Sequence, residues 1–243
     1  MPYSKMKTFD KIFLLGVGFS DASMKEVLEF IVTGLLNQSE KYYIVTPNPE
    51  LLVIASKDDN YRKVLNSAKL ALPDGIGVIV AGKIMGKPLK ERIHGVDLVK
   101  SLCKDVSKQP ITVGFLGAGP NIAELTAECL RKNYPGLKVG LVSEEWSEEL
   151  KNKKADILFV AFGSPKQEIW ISENLERLPA KVVIGVGGAF DFISGKVRRA
   201  PLILRKIGLE WLFRLIIQPW RLKRQLRLVK FPYLVLREKF LPK

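Results

Sequence analysis

Three near-continuous apolar segments constrain the fold of this chain more than any other feature. They are ITVGFLGA at 111–118, ADILFVAFG at 155–163 and KVVIGVGGAF at 181–190, with helix-like stretches between them. Strands that are apolar on both faces and alternate with helices are typical of a parallel sheet that is covered on both sides. The sequence therefore predicts an α/β, Rossmann-like fold with a mostly parallel sheet and helices on both faces.

Shorter patterns extend this prediction along the chain. Apolar residues at helical spacing predict a helix over 23–37, which Asp21 or Ser23 would cap. Residues 11–19 read as one strand or a pair of short strands. The remaining predicted elements are strands at 42–46, 69–73 and 138–142 and helices at 49–57, 59–68, 95–108 and 120–133, with a further helix after Pro165.

The positive charge of the chain is concentrated at its C-terminal end. The net charge is +14, and residues 198–243 hold 13 Lys and Arg against two acidic residues. In this stretch Leu, Ile, Trp and Phe alternate with the basic residues, and Pro219 and Pro232 are expected to divide it into three short helical pieces. The sequence predicts an α/β domain at 1–197 and a basic amphipathic, membrane-associating appendage at 198–243.

The same appendage restricts the class of partner. A segregated basic segment indicates a polyanion, which is a membrane surface, a nucleic acid or a phosphate-bearing substrate. Interleaved aromatic and aliphatic residues favour an anionic membrane surface over a nucleic acid. No run of about 18 apolar residues occurs, so we expect no membrane-spanning segment and a peripheral, cytoplasmic location.

Five unusual loops are predicted at one edge of the sheet. Ligands of open parallel sheets bind beyond the carboxyl ends of the strands. The loops that fall there are TPNP at 46–49, PDGIG at 73–77, GAGP at 117–120, GSPKQE at 163–168 and GVGGAFDF at 185–192. Each has a simpler explanation as a turn or a helix entry, but together they predict a nucleotide pocket.

Some of these loops carry candidate catalytic or binding residues. Asp74 suits a general base, although it is equally suited to cap the next helix. Asn48 either presents a polar group to a ligand or caps the helix that it precedes. The glycines of GAGP would allow phosphate to approach a helix N-terminus, and Asp191 would accept hydrogen bonds from a base or a sugar. Lys166 and Gln167 are expected to be exposed in the first turn of a helix.

Several catalytic patterns are missing. The sequence has no GxxxxGK[ST] loop, no HExxH, no GxSxG and no Asp-x-Asp pair. His94 is the only histidine, which excludes a multi-histidine metal site, and we expect it to be a turn residue. Acid–base chemistry then falls to carboxylates, of which Asp74 is the best placed.

The ordered motifs resemble a known family over nearly the whole chain. The WecG/TagA/CpsF glycosyltransferases, family 26, carry motifs similar to TPNPE at 46–50, LPDGIGV at 72–78, ERIHGVDL at 91–98, FLGAGP at 115–120, FGSPKQE at 162–168, GVGGAFDFISGKVRRAP at 185–201 and LEWLFRLIIQPWR at 209–221. The chain departs from the family at 143–146, where Ser-Glu-Glu-Trp replaces a usual Gly-Tyr-Phe segment.

This resemblance implies that residues 1–197 form an α/β nucleotide-sugar-binding catalytic domain. It implies an inverting enzyme, without metal or other cofactor, that moves a sugar from a UDP-sugar to an undecaprenyl-diphosphate-linked sugar. In the TagA-like branch, N-acetylmannosamine becomes β-1,4-linked to N-acetylglucosamine, the first committed step of wall teichoic acid linkage-unit assembly. Another UDP-sugar, N-acetylmannosaminuronic acid or glucose, and another surface polysaccharide remain open, and homo-oligomers are possible.

The resemblance also assigns roles to residues. It implies that Asp74 takes the proton of the acceptor hydroxyl, with Thr46 beside it, and that Arg92 meets the sugar or diphosphate. The implied substrate-binding residues are Asn48, Arg92, Gly117, Gly119, Gly163, Pro165, Gln167, Glu168, Gly187, Gly188 and Asp191. The appendage arginines implied at the acceptor and the membrane are Arg214, Arg221 and Arg224.

Two other classes of function remain alternatives. A dinucleotide-dependent oxidoreductase would use the GAGP turn and place Glu144 on a ribose. A nucleic-acid-binding protein would use the basic appendage. The first leaves the TPN, PDG and SPKQE motifs and the basic appendage unexplained, and competition between anionic liposomes and DNA would test the second.

Overall fold

Eight short strands organise the molecule, a computed structural model that describes residues 8–37, 40–222 and 226–241. The strands are β1 (Lys11–Leu14), β2 (Val17–Ser20), β3 (Tyr42–Val45), β4 (Leu70–Ala71), β5 (Thr112–Gly117), β6 (Lys138–Ser143), β7 (Ile157–Ala161) and β8 (Val182–Gly185). Strands β1 and β2 form a separate antiparallel hairpin, which confirms the prediction of a strand pair.

Eleven α-helices lie in the described residues. They are α1 (Met24–Leu36), α2 (Pro49–Ala55), α3 (Asp59–Ser67), α4 (Ile76–Ile84), α5 (Gly95–Val106), α6 (Ile122–Asn133), α7 (Lys166–Asn174), α8 (Ala189–Ile193), α9 (Leu202–Lys206), α10 (Glu210–Ile217) and α11 (Lys230–Phe240). Ser23 caps α1 and forms a reciprocal capping box with Glu26, so Ser23 is the cap of the two candidates.

The other six strands form one sheet in the order β4-β3-β8-β7-β5-β6, and every pair in it is parallel. Alternate residues of β7 enter two different apolar clusters. Ile157 and Phe159 pack with α1, α5 and α6, whereas Leu158 and Val160 pack with the hairpin, α2 and α3. The sheet is therefore covered on both faces, and the predicted α/β, Rossmann-like class is confirmed.

The helix α4 arises where the sequence indicated only a turn. Gly75 is its N-cap residue, at φ +86°, and no side chain caps the helix. Asp74 therefore does not serve as a helix cap, which decides between the two interpretations left open by the sequence. A left-handed backbone at this position favours glycine and turns the chain sharply after β4.

The appendage begins with two helices rather than one. Gly208, at φ +82°, separates α9 from α10, and a Cβ atom on it would collide with Ile76. The predicted break at Pro219 is confirmed, because α10 ends at Ile217 and a 3-10 turn begins at Pro219. The predicted break at Pro232 is wrong, because Pro232 lies in the first turn of α11, where proline is tolerated.

The last helix belongs to the core. Phe231 and Val235 of α11 are 7% and 2% exposed and pack in the same apolar cluster as α2 and α4. Glu238 accepts a hydrogen bond of 3.1 Å from the backbone N–H of Leu15. No helix in the described parts of the chain has the length and apolar character needed to cross a bilayer.

Candidate active site

A cleft of about 930 Å³ lies at the carboxyl edge of the sheet. The loops that follow β3, β4, β5, β7 and β8 all reach it, as the sequence predicted for this edge. Residues of the appendage close one side: Gly208, Glu210, Trp211, Arg214, Leu228, Phe231 and Pro232. The cleft is therefore built by both segments that the sequence distinguishes.

Asp74 lies in this cleft and is held by a histidine. Its backbone N–H donates to the carbonyl of Pro47 at 3.0 Å, and its Oδ1 is 2.8 Å from Nδ1 of His94. The side chain of Asp74 is 27% exposed, so it is reachable from the cleft. His94 is thus more than the turn residue that we expected.

The second nitrogen of His94 faces the appendage. Its Nε2 lies 3.8 Å from Oε2 of Glu210 on α10, a distance for an ion pair but not for a hydrogen bond. Burial lowers the pKa of His94, but the hydrogen bond and the charge of Asp74 outweigh it and, with Glu210, raise the pKa above the ordinary 6.5. The imidazole therefore holds its proton more tightly than an isolated histidine does.

Arg199 links Glu210 of α10 to Asp97 of α5 in the same region. Its two terminal nitrogens donate to the two carboxylate oxygens of Asp97 at 2.6 and 2.7 Å, and its Nε donates to Glu210 at 3.0 Å. Burial alone would raise the pKa of Asp97, but the hydrogen bond and charge of Arg199 hold it below the usual range. A bidentate contact of this kind fixes both direction and distance.

Two further arginines join the appendage to the core around the cleft. Arg92 lines the cleft and donates to the carbonyl of Arg205 at 2.7 Å. Arg214 of α10 lies 3.3 Å from Oδ2 of Asp191 and stacks 4.6 Å from the ring centre of Phe192. These contacts place two guanidinium groups at the rim of a cleft that also holds Asp74.

Thr46 and Asn48 line the cleft with structural duties of their own. The hydroxyl of Thr46 donates to the carbonyl of Gly185 at 3.2 Å and so joins the ends of β3 and β8. The side-chain oxygen of Asn48 accepts from the backbone N–H of Leu51 at 3.2 Å, which makes it the cap of α2. Both residues are fixed rigidly where they meet the cleft.

The glycine-rich loops differ in what their glycines do. Gly119, Gly163, Gly187 and Gly188 line the cleft, whereas Gly117 does not. A Cβ atom on Gly117, at φ +103°, would lie 2.8 Å from the Phe162 ring, so this glycine permits close packing of two strand ends. The N–H of Asn121 at the start of α6 donates to Glu144 at 2.6 Å, so a carboxylate already occupies this helix N-terminus.

The loop at 163–168 turns Gln167 and Glu168 inward and leaves Lys166 exposed. Gln167 and Glu168 are each 1% exposed, so the expectation that Gln167 is exposed is wrong. Gln167 accepts from the N–H of Gly187 at 2.9 Å and donates to Glu168, which also accepts from Ser164 and Tyr61. Burial raises the pKa of Glu168. With Pro165, these residues lie behind the cleft and support the Gly187 loop instead of lining it.

The two remaining predicted arginines, Arg221 and Arg224, lie at or beyond the edge of the described range 40–222. Arg221 ends a 3-10 turn, Pro219–Arg221, and Arg224 lies outside the described residues. Within residues 8–37, 40–222 and 226–241, no group of three or more His, Cys, Asp or Glu residues has the arrangement of a metal site. The metal requirement of the reaction stays a prediction.

Comparison with known proteins identifies the family. The model of the glycosyl transferase WecG/TagA/CpsF family matches residues 12–243, nearly the whole chain. The chain belongs to this family. It is therefore a glycosyltransferase, and the family resemblance predicted from the sequence is confirmed.

Three curated relatives of this glycosyltransferase share one name. A protein of Bacillus spizizenii is 35% identical over 226 residues, which cover 90% of this chain and 88% of the relative. A protein of Bacillus subtilis is 32% identical over 91% of this chain and 90% of its own length. A Staphylococcus aureus protein is 32% identical over 94% and 93%. Each is named N-acetylglucosaminyldiphosphoundecaprenol N-acetyl-β-D-mannosaminyltransferase.

Sequence reasoning missed the residues that connect the glycosyltransferase core to its appendage. His94, Asp97, Arg199 and Glu210 received no role, because each is a single polar residue within a helix entry or an amphipathic stretch. One signal was present in the motif at 91–98, where a histidine and an aspartate flank the start of α5. Their partners are distant in sequence, so only the fold brings them together.

Proposed function

We propose that this protein transfers N-acetylmannosamine from UDP-N-acetylmannosamine to N-acetylglucosamine carried on undecaprenyl diphosphate, forming a β-1,4 linkage. The observation that carries the proposal is the position of Asp74, which lies in the cleft, does not cap a helix and is held by His94. The names of the relatives support the sugar and the acceptor. The product would be the first committed intermediate of wall teichoic acid linkage-unit assembly.

The chemical step is a single displacement with inversion. The acceptor hydroxyl oxygen forms a bond to the anomeric carbon of the donor, the bond from that carbon to the diphosphate breaks, and UDP leaves from the opposite face. The hydroxyl proton passes to the free carboxylate oxygen of Asp74, since Oδ1 is engaged with His94. A positioned base of this kind contributes about 10²–10⁴-fold to the rate.

Negative charge develops on the departing diphosphate. Preorganised cations in a partly closed cleft stabilise such charge without reorganising at the moment of reaction. Arg92 and Arg214 line the cleft and are anchored by contacts with Arg205 and Asp191, so their guanidinium groups are already oriented. We assign the diphosphate to these arginines and expect no divalent metal in the reaction.

The acceptor is a lipid, and the appendage is suited to meet it. Ile203, Ile216 and Trp220 are 74%, 71% and 72% exposed, and basic residues flank each of them in sequence. Exposed apolar side chains interleaved with Lys and Arg bind anionic membrane surfaces peripherally. We propose that residues 198–243 contact the cytoplasmic face of the membrane and present the cleft to the lipid-linked sugar.

A turnover assay tests the donor and the acceptor together. The full-length protein is incubated with a lipid-diphosphate-N-acetylglucosamine analogue and with UDP-N-acetylmannosamine, UDP-N-acetylmannosaminuronic acid or UDP-glucose, each with and without EDTA. The proposal expects turnover with UDP-N-acetylmannosamine, unchanged by EDTA. Turnover with another donor alone would reassign the sugar, and loss of turnover in EDTA would reject metal independence.

A further inference from the structure

The imidazole of His94 stands between a residue of the cleft and a residue of the appendage. Its Nδ1 is 2.8 Å from Asp74 and its Nε2 is 3.8 Å from Glu210. An ionised carboxylate only accepts hydrogen bonds, so Nδ1 carries a proton and donates it to Oδ1 of Asp74. This contact fixes one carboxylate oxygen of Asp74, a residue that lines the cleft and keeps 27% of its side chain exposed.

The geometry rules out His94 itself as the base in this arrangement. Its Nε2 is buried, has no hydrogen-bond partner among the described residues, and lies 3.8 Å from Oε2 of Glu210. In pairs of aspartate and histidine where histidine is the base, the second ring nitrogen faces the substrate. Here it faces the appendage, so the aspartate is the group that faces the cleft.

The partner on the appendage is held firmly. Arg199 donates to Glu210 at 3.0 Å and is itself held by Asp97 at the start of α5, the helix whose N-cap residue is His94. The position of Glu210 therefore depends on α10 and α5 together. The charged groups that act on the imidazole are Asp74, Arg92, Asp97 and Glu210, and Arg199 contacts both Asp97 and Glu210.

We propose that His94 is a positioning residue for Asp74, and that Glu210 of α10 sets the orientation of the imidazole. The imidazole, held between the two carboxylates, would orient the base only while α10 lies over the cleft. The inference rests on the proposed role of Asp74 as the base. It adds that the appendage acts on the reaction through a named side chain of the core.

Two substitutions of His94 distinguish the roles of the two imidazole nitrogens. His94→Asn retains a donor near the position of Nδ1 and loses the group that faces Glu210. His94→Gln retains a donor near Nε2 and loses the contact with Asp74. Lys90→Gln serves as the control, because Lys90 is in the same loop, half exposed and paired with Glu26 at 3.6 Å, away from the cleft.

Steady-state kinetics with the lipid-linked acceptor analogue are the first measurement. We expect His94→Gln to lower kcat by about 10–100-fold, the range seen when partners that orient a reacting side chain are removed, with an unchanged UDP dissociation constant. His94→Asn should retain more of kcat than His94→Gln. Wild-type kcat in both variants would overturn the proposal, as would an equal loss of kcat in Lys90→Gln.

An NMR titration provides a readout that a purely structural role would not move. His94 is the only histidine of the chain, so its imidazole signals need no assignment. Glu210→Gln removes a negative neighbour while keeping the shape, and it should lower the pKa of His94 and also lower kcat. An unchanged pKa of His94 in Glu210→Gln would show that Glu210 does not act on the imidazole, and would reject its role in orienting the ring.

The two proposals fail in different ways. If Asp74→Asn retains turnover, Asp74 is not the base and the proposed chemistry falls, whatever the His94 titration shows. If Asp74→Asn loses turnover while His94→Gln and Glu210→Gln retain it, the base stands and the positioning role of His94 is rejected.

Discussion

Arg199 binds Asp97 through two parallel hydrogen bonds of 2.6 and 2.7 Å, and this pair joins the segment before α9 to the start of α5. The guanidinium is largely enclosed, with 14% of its side chain exposed. Because the same guanidinium also donates to Glu210, the pair anchors the appendage beside the cleft. The appendage is thus attached to the core by directional contacts as well as by apolar packing.

Replacement of this arginine should weaken the attachment. Arg199→Lys keeps the charge but cannot donate two parallel hydrogen bonds and a third to Glu210, so we expect a loss of about 1–2 kcal/mol in the free energy of unfolding. In a chain of this size that corresponds to a fall of about 2–8 °C in Tm, measured by calorimetry. Arg198→Lys, at the exposed neighbouring position, is the control and should leave Tm unchanged. Equal Tm values for both variants would contradict the expectation.

The general base is tested by Asp74→Asn. The amide keeps the size of the side chain but cannot accept the acceptor proton, so kcat should fall by about 10²–10⁴-fold while UDP binding, measured by calorimetry, persists. Asp59→Asn, at a position 76% exposed on α3, is the matched control and should retain full turnover. Undiminished turnover in Asp74→Asn would remove Asp74 from this role.

The raised pKa of His94 predicts a dependence of stability on pH. The folded protein binds this proton more tightly than the unfolded chain, whose imidazole titrates near 6.5. The stabilisation is fully present below about pH 6.5 and is lost as the pH rises through the folded-state pKa. Denaturant unfolding from pH 5.5 to 9 should show this loss in the wild type, and the same component should be missing from His94→Asn. Parallel pH profiles for the two proteins would refute the prediction.

Membrane contact is tested on the exposed face of the appendage. Ile203→Asp and Trp220→Asp place charges where the proposal puts lipid, so binding to vesicles that contain anionic lipid should weaken at least tenfold, measured by co-sedimentation. Leu36→Asp, at a 50% exposed position on α1, is the control. Binding that is insensitive to the appendage substitutions, or equally sensitive to Leu36→Asp, would place the membrane contact elsewhere.

A deletion of residues 200–243 would remove a helix packed in the core together with the exposed face of the appendage. Phe231 and Val235 of α11 pack with α2 and α4, so the deletion would expose apolar surface of the core. Point substitutions on α9 and the 3-10 turn at Pro219–Arg221 avoid this difficulty.

The sequence predicted the sheet and the loops well because those features are local. Uninterrupted apolar runs identify buried parallel strands, and glycine, proline and aspartate mark the turns that follow them. The sheet order and the His94 contacts required pairings between distant segments, which no local pattern encodes. Gln167 was misjudged for a related reason. Its position in a first helical turn favoured exposure, whereas Gly185 leaves room that its side chain fills and the N–H of Gly187 donates to it.

The burial of the last helix has a consequence for how defective copies of the protein would behave in a cell. A chain that stops before Phe231 would leave apolar surface of α2 and α4 uncovered, and uncovered apolar patches lead to aggregation and proteolysis. Such a product would be cleared by quality control before it could bind donor and compete with intact enzyme. Truncating mutations should therefore act by loss of protein and not by interference with intact enzyme.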